Sequence, residues 1–342
     1  MSPELHPFLR RTTRRRALVG AIALAVAGVL SACGGGGDAS TSTAADGTTD
    51  ITVLRSTGST FEPLYIAQDQ GFFKAAGLNV TIKAGAQDTS QNAPSVLNGE
   101  AQFAMTDSSG FLKAAAQKLP VRIVSNLQAA TTKTPPSDGL LVKKDSPIKS
   151  YADLAGKTVG LSALGGTLQF ICEYSAKQAG ADPSKIKFVA LPLTSLNDAV
   201  AQGKVDAVYA FATFLDAGKA SGLSAIGIGT NALPGLPQAL LFSSQSWLAK
   251  NAATAKKFTD AMSKAFDYAN AHPEAVRDVD TKYTKLPADY IKNRSIQLFS
   301  APIDTTVLQT VVTDMVSFGL LKTAPAADSL LWDQAATTTN SQ

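Results

Sequence analysis

Histidine is almost absent from this chain: His6 and His272 are the two among 342 residues. Catalytic triads and histidine-based metal sites need a placed imidazole. His272 stands just before Pro273, where a helix would end, so neither chemistry is expected and no metal is implied. Cysteine is equally scarce, with Cys33 and Cys172 alone. An excess of one charge is missing too. The formal +4 resides in the first 32 residues, where Arg10, Arg11, Arg14, Arg15 and Arg16 face Glu4; from Cys33 onward 26 basic residues balance 26 acidic ones. Without a basic footprint, a nucleic-acid partner is not expected. "AGKT" (155–158) ends like a phosphate loop, but Tyr151 stands where its first glycine belongs and the segment precedes a strand. No cofactor is implied. What remains is a globular composition, long enough to bury a large core in two domains or one large one.

One apolar run, 17–30, stands apart behind the arginine-rich head. Its length suits the hydrophobic region of an export signal and is short for a membrane span. Residues 1–32 therefore read as a signal peptide; "RRALV" (15–19) is similar to a twin-arginine signal, with an ordinary arginine-rich signal as the alternative. "LSAC" (30–33) resembles the lipobox of bacterial lipoproteins, which implies that Cys33 is acylated on sulfur and becomes the first mature residue. An uncleaved anchor with an incidental cysteine is the competing reading. The Gly/Ser/Thr-rich stretch behind Cys33 has the composition of a flexible tether, giving a lipidated cysteine plus tether over 33–50. One acyl chain holds a membrane only marginally, so stable anchoring implies more than one. With Cys33 lipidated, Cys172 has no disulfide partner. Its apolar setting, "LQFICEY", suits a buried thiol.

The rest of the chain carries an internal repeat. "ITVLRSTGSTFEPLYIAQDQG" from Ile51 and "KTVGLSALGGTLQFICEYSAKQAG" from Lys157 share an order of β-branched strand, small-residue turn and amphipathic helix, with their Thr-Val pairs 106 residues apart. "NVTIKA" at Asn79 matches "KIKFVA" at Lys185 at the same offset, and helix-stopping Gly99 and Gly203, each before an alternating strand, lie 104 apart. Ser195 and Asp198 read as a capping box for the helix before Gly203. Each copy reads β-α-β-α-β, which predicts an α/β protein with parallel sheets flanked by helices. "TTKTPPSDG" (131–139) suits a connection between the copies, and the stretch from Ala249 to Leu331 is largely helical, with Phe258, Met262, Ala265 and Phe266 at core spacing.

Ligands of open parallel sheets bind beyond the strand C-termini. The repeat supplies matching turns there: Ser56, Thr57, Gly58, Ser59 and Thr60 against 162–167, and Asp107, Ser108 and Ser109 against 210–213. Gly165, Gly166 and Thr167 open a helix whose free N–H groups suit an anionic oxygen, or form a plain N-cap with turn glycines. The helix dipole alone contributes about 0.3–1 kcal/mol, up to about 2 when partly buried, whereas micromolar binding needs about 8 kcal/mol. Enclosure must supply the difference. Phe61, Tyr65, Tyr209 and Phe211 are candidates for pocket walls with two phenolic handles, or for core. Arg55 is a candidate anion clamp, or points to solvent, or pairs with Glu62. Asp107 either accepts from a ligand amine or caps the helix begun by "SSGFLKAAAQ". Trp247 and Trp332 lie outside the repeated turns and read as packing residues.

"PLYIAQDQGFFKAAGLNV" (63–80), "LNGEAQFAMTD" (97–107), "DSPIKSYADLAGKTVGL" (145–161) and "QGKVDAVYAF" (202–211) closely resemble the substrate-binding lipoproteins of ABC importers. The subgroup is the nitrate, sulfonate and taurine type, which includes thiamine-pyrimidine precursor binders. The chain lacks the cysteine-rich motif of the pyrimidine-synthesising relatives, which weakens a synthesising role and leaves a pyrimidine ligand open. The resemblance implies a two-lobed periplasmic-binding-protein-like fold of type II, with lobe 1 formed by 51–131 and 249–333, lobe 2 by 132–248, and a disordered tail over 334–342. It implies a monomer, exported and held by lipid to the outer face of a bacterial membrane. There it would close on a small solute and deliver it to ABC permease subunits. Ser56 and Thr57 in one lobe and Gly165–Thr167 in the other are the implied contacts. An enzyme built on the same fold in the cytoplasm is the alternative.

Overall fold

The computed structural model describes residues 47–56, 60–86 and 88–339. The expectations for the signal peptide, Cys33, the tether up to residue 46 and Thr57 fall outside these residues. The first half runs β1 (Thr49–Arg55), α1 (Glu62–Asp69), α2 (Phe72–Ala75), β2 (Leu78–Ala84), α3 (Ala93–Leu97), β3 (Phe103–Thr106), α4 (Ser108–Ala116) and β4 (Val121–Ala129). The second half follows with β5 (Asp138–Val142), β6 (Thr158–Leu161), α5 (Thr167–Gln178), β7 (Lys187–Ala190), α6 (Leu196–Ala201), β8 (Ala207–Phe211), α7 (Ala212–Ala220) and β9 (Ser224–Ile226). The chain then returns through β10 (Pro237–Ser244), α8 (Gln245–Lys250), α9 (Ala252–Ala271), α10 (Pro273–Tyr283), α11 (Ala288–Asn293), β11 (Ile303–Asp304), α12 (Thr305–Ser317) and β12 (Thr337–Thr338).

Two five-stranded sheets result, ordered β2-β1-β3-β10-β4 and β7-β6-β8-β5-β9. In each, three parallel strands are followed by an antiparallel one that arrives from the other half: β10 in the first sheet and β5 in the second. The sequence repeat is built into the register. Thr52 pairs with Thr81 and Thr158 with Lys187, both members displaced by 106; Val53 pairs with Phe103 and Val159 with Ala207, displaced by 106 and 104. This is the expected α/β, two-lobed arrangement of two sheets flanked by helices.

Burial of apolar faces fixes the helices to the sheets. In α9 the buried positions Ala255, Phe258, Ala261, Met262, Ala265, Phe266 and Ala269 recur every three or four residues, forming one stripe. That stripe meets the first sheet at Phe103, which stacks on Phe258 at 4.1 Å and takes the edge of Trp247 at 5.1 Å. Trp247 and Trp332 are both buried. A closing helix, α12, packs on α5 through Lys177 Nζ to Asp314 Oδ1 at 2.5 Å and through Phe170 and Phe318.

Three local expectations are corrected. A lobe boundary at 248 would leave β10 in the second half, but β10 pairs with β3 and β4 in the first sheet, because its buried Leu240, Leu241 and Phe242 complete that core. Within the tail expected to be disordered over 334–342, Thr337–Thr338 form β12, which pairs parallel with β11. Ser195 makes no side-chain cap to α6, since a short 3-10 turn over Leu193–Ser195 already feeds the helix. The reciprocal capping box occurs at Ser150 and Asp153, before the turn Tyr151–Leu154.

Candidate functional site

The C-terminal ends of β1 and β3 in one half, and of β6 and β8 in the other, deliver the turns singled out above. Before α1, Thr60 has φ +80°, a left-handed conformation rare for a β-branched residue. The equivalent strain after β8 falls on Ala212, with φ +48°. Two of the three described non-glycine residues with positive φ thus lie in turns of the candidate cleft, the kind of place where binding sites store strain.

Arg55 closes β1. Its Nε donates to Tyr65 Oη at 3.1 Å, one Nη donates to the Ser56 carbonyl at 2.8 Å, and the guanidinium lies 4.3 Å from the Phe61 ring centroid. Tyr65 in turn stacks on Tyr283 at 3.7 Å. Phe61 is fully buried beneath this assembly, so it acts as the platform under Arg55. The expected pairing of Arg55 with Glu62 does not form. Glu62 faces inward instead, to Arg294 at 2.8 Å, and none of the ion pairs among the described residues involves Arg55. A guanidinium held by a hydroxyl, a carbonyl and a ring keeps its charge unneutralised by a carboxylate.

At the end of β3, Asp107 is the N-cap of α4, its Oδ1 accepting from Gly110 N at 2.6 Å. Burial pushes its carboxyl above the usual range. Ser108 is buried, and its hydroxyl donates to the Pro237 carbonyl of β10. The expectation that Ser108 faces a solute is therefore corrected: its first-turn direction points back into its own sheet. The neighbouring Ser109 points across the cleft, where its backbone N and Oγ lie 3.5 and 3.3 Å from Thr167 Oγ1.

Thr167 opens α5. Its N-cap, Gly166, offers no side-chain cap, so the N–H groups of Thr167, Leu168 and Gln169 have no intrahelical acceptor. Gly165 holds the left-handed bend before it, with φ +71°, and its N–H donates to Gln169 Oε1 at 2.7 Å. A Cβ on Gly165 would come within 2.8 Å of Lys113 Nζ. Thus the ammonium of α4 reaches over the turn of the opposite half. Sequence reasoning missed Lys113; the signal was there, as the one cation in "SSGFLKAAAQ", one and a half turns from the start of α4.

Tyr209 is corrected as a phenolic handle. It is fully buried, and its hydroxyl donates to Asp138 Oδ2 at 2.8 Å. Phe211, at the end of the same strand, is half-buried and lies 6.5 Å from Phe214. His272 is half-buried and bonded to Glu274. Cys172 is buried, and burial pushes its thiol well above the usual range. Among the described residues no group of three His, Cys, Asp or Glu could hold a metal ion, and no helix is long and apolar enough to cross a membrane.

The family model described as "NMT1/THI5 like" matches residues 59–276, more than half of the chain. YtlA, a presumed binding protein of Bacillus subtilis (strain 168), is 28% identical over 232 residues, covering 66% of this chain and 67% of YtlA. Among solved structures, the periplasmic aliphatic sulphonate binding protein SsuA of Escherichia coli superposes with a TM-score of 0.70 at 18% identity, over 84% of this chain and 98% of SsuA. The periplasmic nitrate-binding protein NrtA of Synechocystis PCC 6803 gives a TM-score of 0.62 at 14% identity, over 83% and 86% of the two chains. At these identities the structural matches speak for the fold. On this family match, the chain belongs to the NMT1/THI5-like family.

Proposed function

We propose that this chain is the solute-binding lipoprotein of an ABC importer, exported, anchored through Cys33 and active as a monomer. It captures a small organic solute, of the sulfonate or taurine kind or another small anion, aromatic ones included, between its two halves and hands it to permease subunits. The reading rests on one observation above others. Helix starts from the two halves meet at Ser109 and Thr167, and the first half carries two cations, Arg55 at the end of β1 and Lys113 on α4 beside the Gly165 turn, that take part in none of the ion pairs among the described residues. Uncapped N–H groups on α5 would take the anionic oxygens, Arg55 would approach from the β1 turn, with Ser56 and Thr57 beside it, and Phe211 would face the organic part. Binding across both walls favours closure, because a ligand gripping one wall equally well in every arrangement shifts nothing. The description of relatives as sulphonate- and nitrate-binding proteins supports the anion.

Binding without turnover is part of the proposal. The groups that would carry acid–base or nucleophilic work, His272 and Cys172, lie away from this cleft or in the core. A thermal-shift screen of alkanesulfonates, nitrate, aromatic acids and pyrimidines tests the solute class: a ligand at a hundred times its Kd adds about 2.7 kcal/mol of stability. No shift with any anion, or turnover of the stabilising compound, would overturn the reading. Palmitate labelling lost in Cys33→Ala tests the anchor.

A further inference from the structure

The two sheets are joined by two chain segments, 130–137 and 227–236, which cross side by side: Gly235 N donates to the Ala130 carbonyl and Ala130 N to the Leu236 carbonyl, both at 2.8 Å. The second crossing bends at Gly227, Gly229 and Gly235, with φ of +78°, +59° and +84°. Through this hinge runs a line of side-chain hydrogen bonds. Gln128 Nε2 on β4 donates to Gln238 Oε1 on β10 at 2.7 Å, and Gln238 Nε2 donates to Thr230 Oγ1 in the crossing at 2.5 Å. Thr230 Oγ1 donates to Asp138 Oδ1 on β5 at 2.8 Å, while Tyr209 on β8 donates to Asp138 Oδ2 at 2.8 Å.

The relay has a polarity. Every proton points toward Asp138, whose carboxylate takes its support from two hydroxyls and the Thr230 N–H, with no cation among its bonded partners. Gln128, Thr230, Asp138 and Tyr209 are each at most 5% exposed, so water cannot readily replace a broken link. Gly229 is fixed by the same packing: a Cβ there would come within 2.3 Å of the Asp138 carbonyl. Gln238 moves with the first sheet and Asp138 with the second, so rotation about the crossings must stretch the line at Thr230.

We propose that Gln238, Thr230 and Asp138 are positioning residues for solute capture, which hold the two halves in the arrangement where Ser109 meets Thr167 without themselves touching the solute. Their state sets the fraction of receptors in that arrangement, and apparent affinity scales with that fraction.

The test needs no solute, so its outcome is independent of the proposed ligand class. Spin labels at Lys74→Cys on α2 and Lys219→Cys on α7, in a full-length Cys33→Ser chain, report the distance between halves by pulsed electron resonance. Both positions are exposed, and Cys172 is buried. One dominant, narrow distance is expected in the parent. Thr230→Val and Gln238→Leu should each broaden and lengthen it, and Thr230→Ser, which keeps the hydroxyl, should restore it. Where Thr230→Val melts before measurement, Gln238→Leu decides alone, because it is half-buried at the first-sheet end of the relay. Folded Gln238→Leu or Thr230→Val protein with the parent distance, or failure of Thr230→Ser to restore it, would overturn the proposal.

Discussion

The two halves lay their strands in one order and at one register, yet begin their facing helices differently. In the first half α4 starts under the Asp107 carboxylate, which satisfies a backbone N–H and fills the positive end of the helix. In the second half α5 starts at Gly166, where no side chain performs that service. The cations follow the opposite distribution: Arg55 and Lys113 both come from the first half. One wall therefore offers positive side chains and the other fixed, unfilled N–H groups, an asymmetry that suits an anion bridging the two. The shared fold is set by strand register, and the site by chemistry in the turns, where the copies diverge.

The sharpest way to break this comparison is to give α5 the cap that α4 has. Gly166 sits at φ −89° and ψ 179°, an extended backbone that aspartate adopts at N-caps, and nothing lies within 4 Å of a Cβ there. Gly166→Asp should leave stability within a few tenths of a kcal/mol of the parent or slightly above it. Bringing a carboxylate against the bound anion costs several kcal/mol, so affinity should fall on the order of a hundredfold or more. Calorimetry with the anion found by screening, alongside thermal melting, reads both. Retained affinity in Gly166→Asp would mean that the anion lies elsewhere.

Next come the cations of the opposite wall. Arg55→Gln and Lys113→Gln should each raise Kd by about tenfold, since a charge-assisted hydrogen bond contributes about 1.5–3 kcal/mol. The Lys113 contribution should fade at high salt sooner than that of Arg55, because the ammonium reaches across the turn while the guanidinium is pinned over Phe61. Titrations at low and high ionic strength separate the two. Equal salt dependence would remove the distinction between a pinned and a reaching cation.

How much of this was legible beforehand follows the same division. Strand positions were readable because β-branched runs and stopping glycines recur at offsets of 106 and 104, and those offsets reappear in the pairing of Thr52 with Thr81 and Thr158 with Lys187. The sheet that receives β10 was not readable, since antiparallel pairing across a hinge leaves no local mark in "QALLFSS". The chemistry of the turns was less legible than the strands. Ser108 and Ser109 are chemically identical, and only the first-turn direction of α4 sends one into β10 and the other to Thr167. Tyr209 and Phe211 share a strand face by alternation, but two residues of depth, about 7 Å, separate a fully buried hydroxyl from a half-buried ring. Lys113 was visible as the one cation of its helix segment, but its place over Gly165 needed the contact between halves.

A smaller effect tests the filled cap itself. Asp107→Ala removes the acceptor for Gly110 N, and loss of such a cap costs about 1 kcal/mol. A drop of a few degrees in Tm is expected, with a modest change in anion affinity. A fall in affinity as large as that of Gly166→Asp would reverse the roles assigned to the two helix starts.

The smallest effect compares one buried glutamate in each half. Burial raises Glu62 on α1 to about 7, opposed by Arg294 and reinforced by Asp280, and burial raises Glu173 on α5 to about 7 with only the Gln169 amide against it. A carboxyl whose folded pKa lies above its ordinary 4.5 binds a proton in the folded chain that the unfolded chain has released. Stability must therefore decline as pH rises from about 4.5 to about 7. Asp107, Asp138 and Asp280, also raised by burial, act in the same direction. Glu173→Gln cannot titrate, keeps the Oε1 that accepts from Gln169, and gives up no ion pair, so its Tm should match the parent near pH 5 and exceed it by a few degrees at pH 8. Glu62→Gln also flattens the decline, but sacrifices the charge facing Arg294, and should gain less at pH 8. Melting curves at four pH values distinguish them: a Glu173→Gln slope equal to that of the parent would show that the carboxyl in the second half is not the titrating group, and the contrast between a paired and an unpaired buried acid would fail with it.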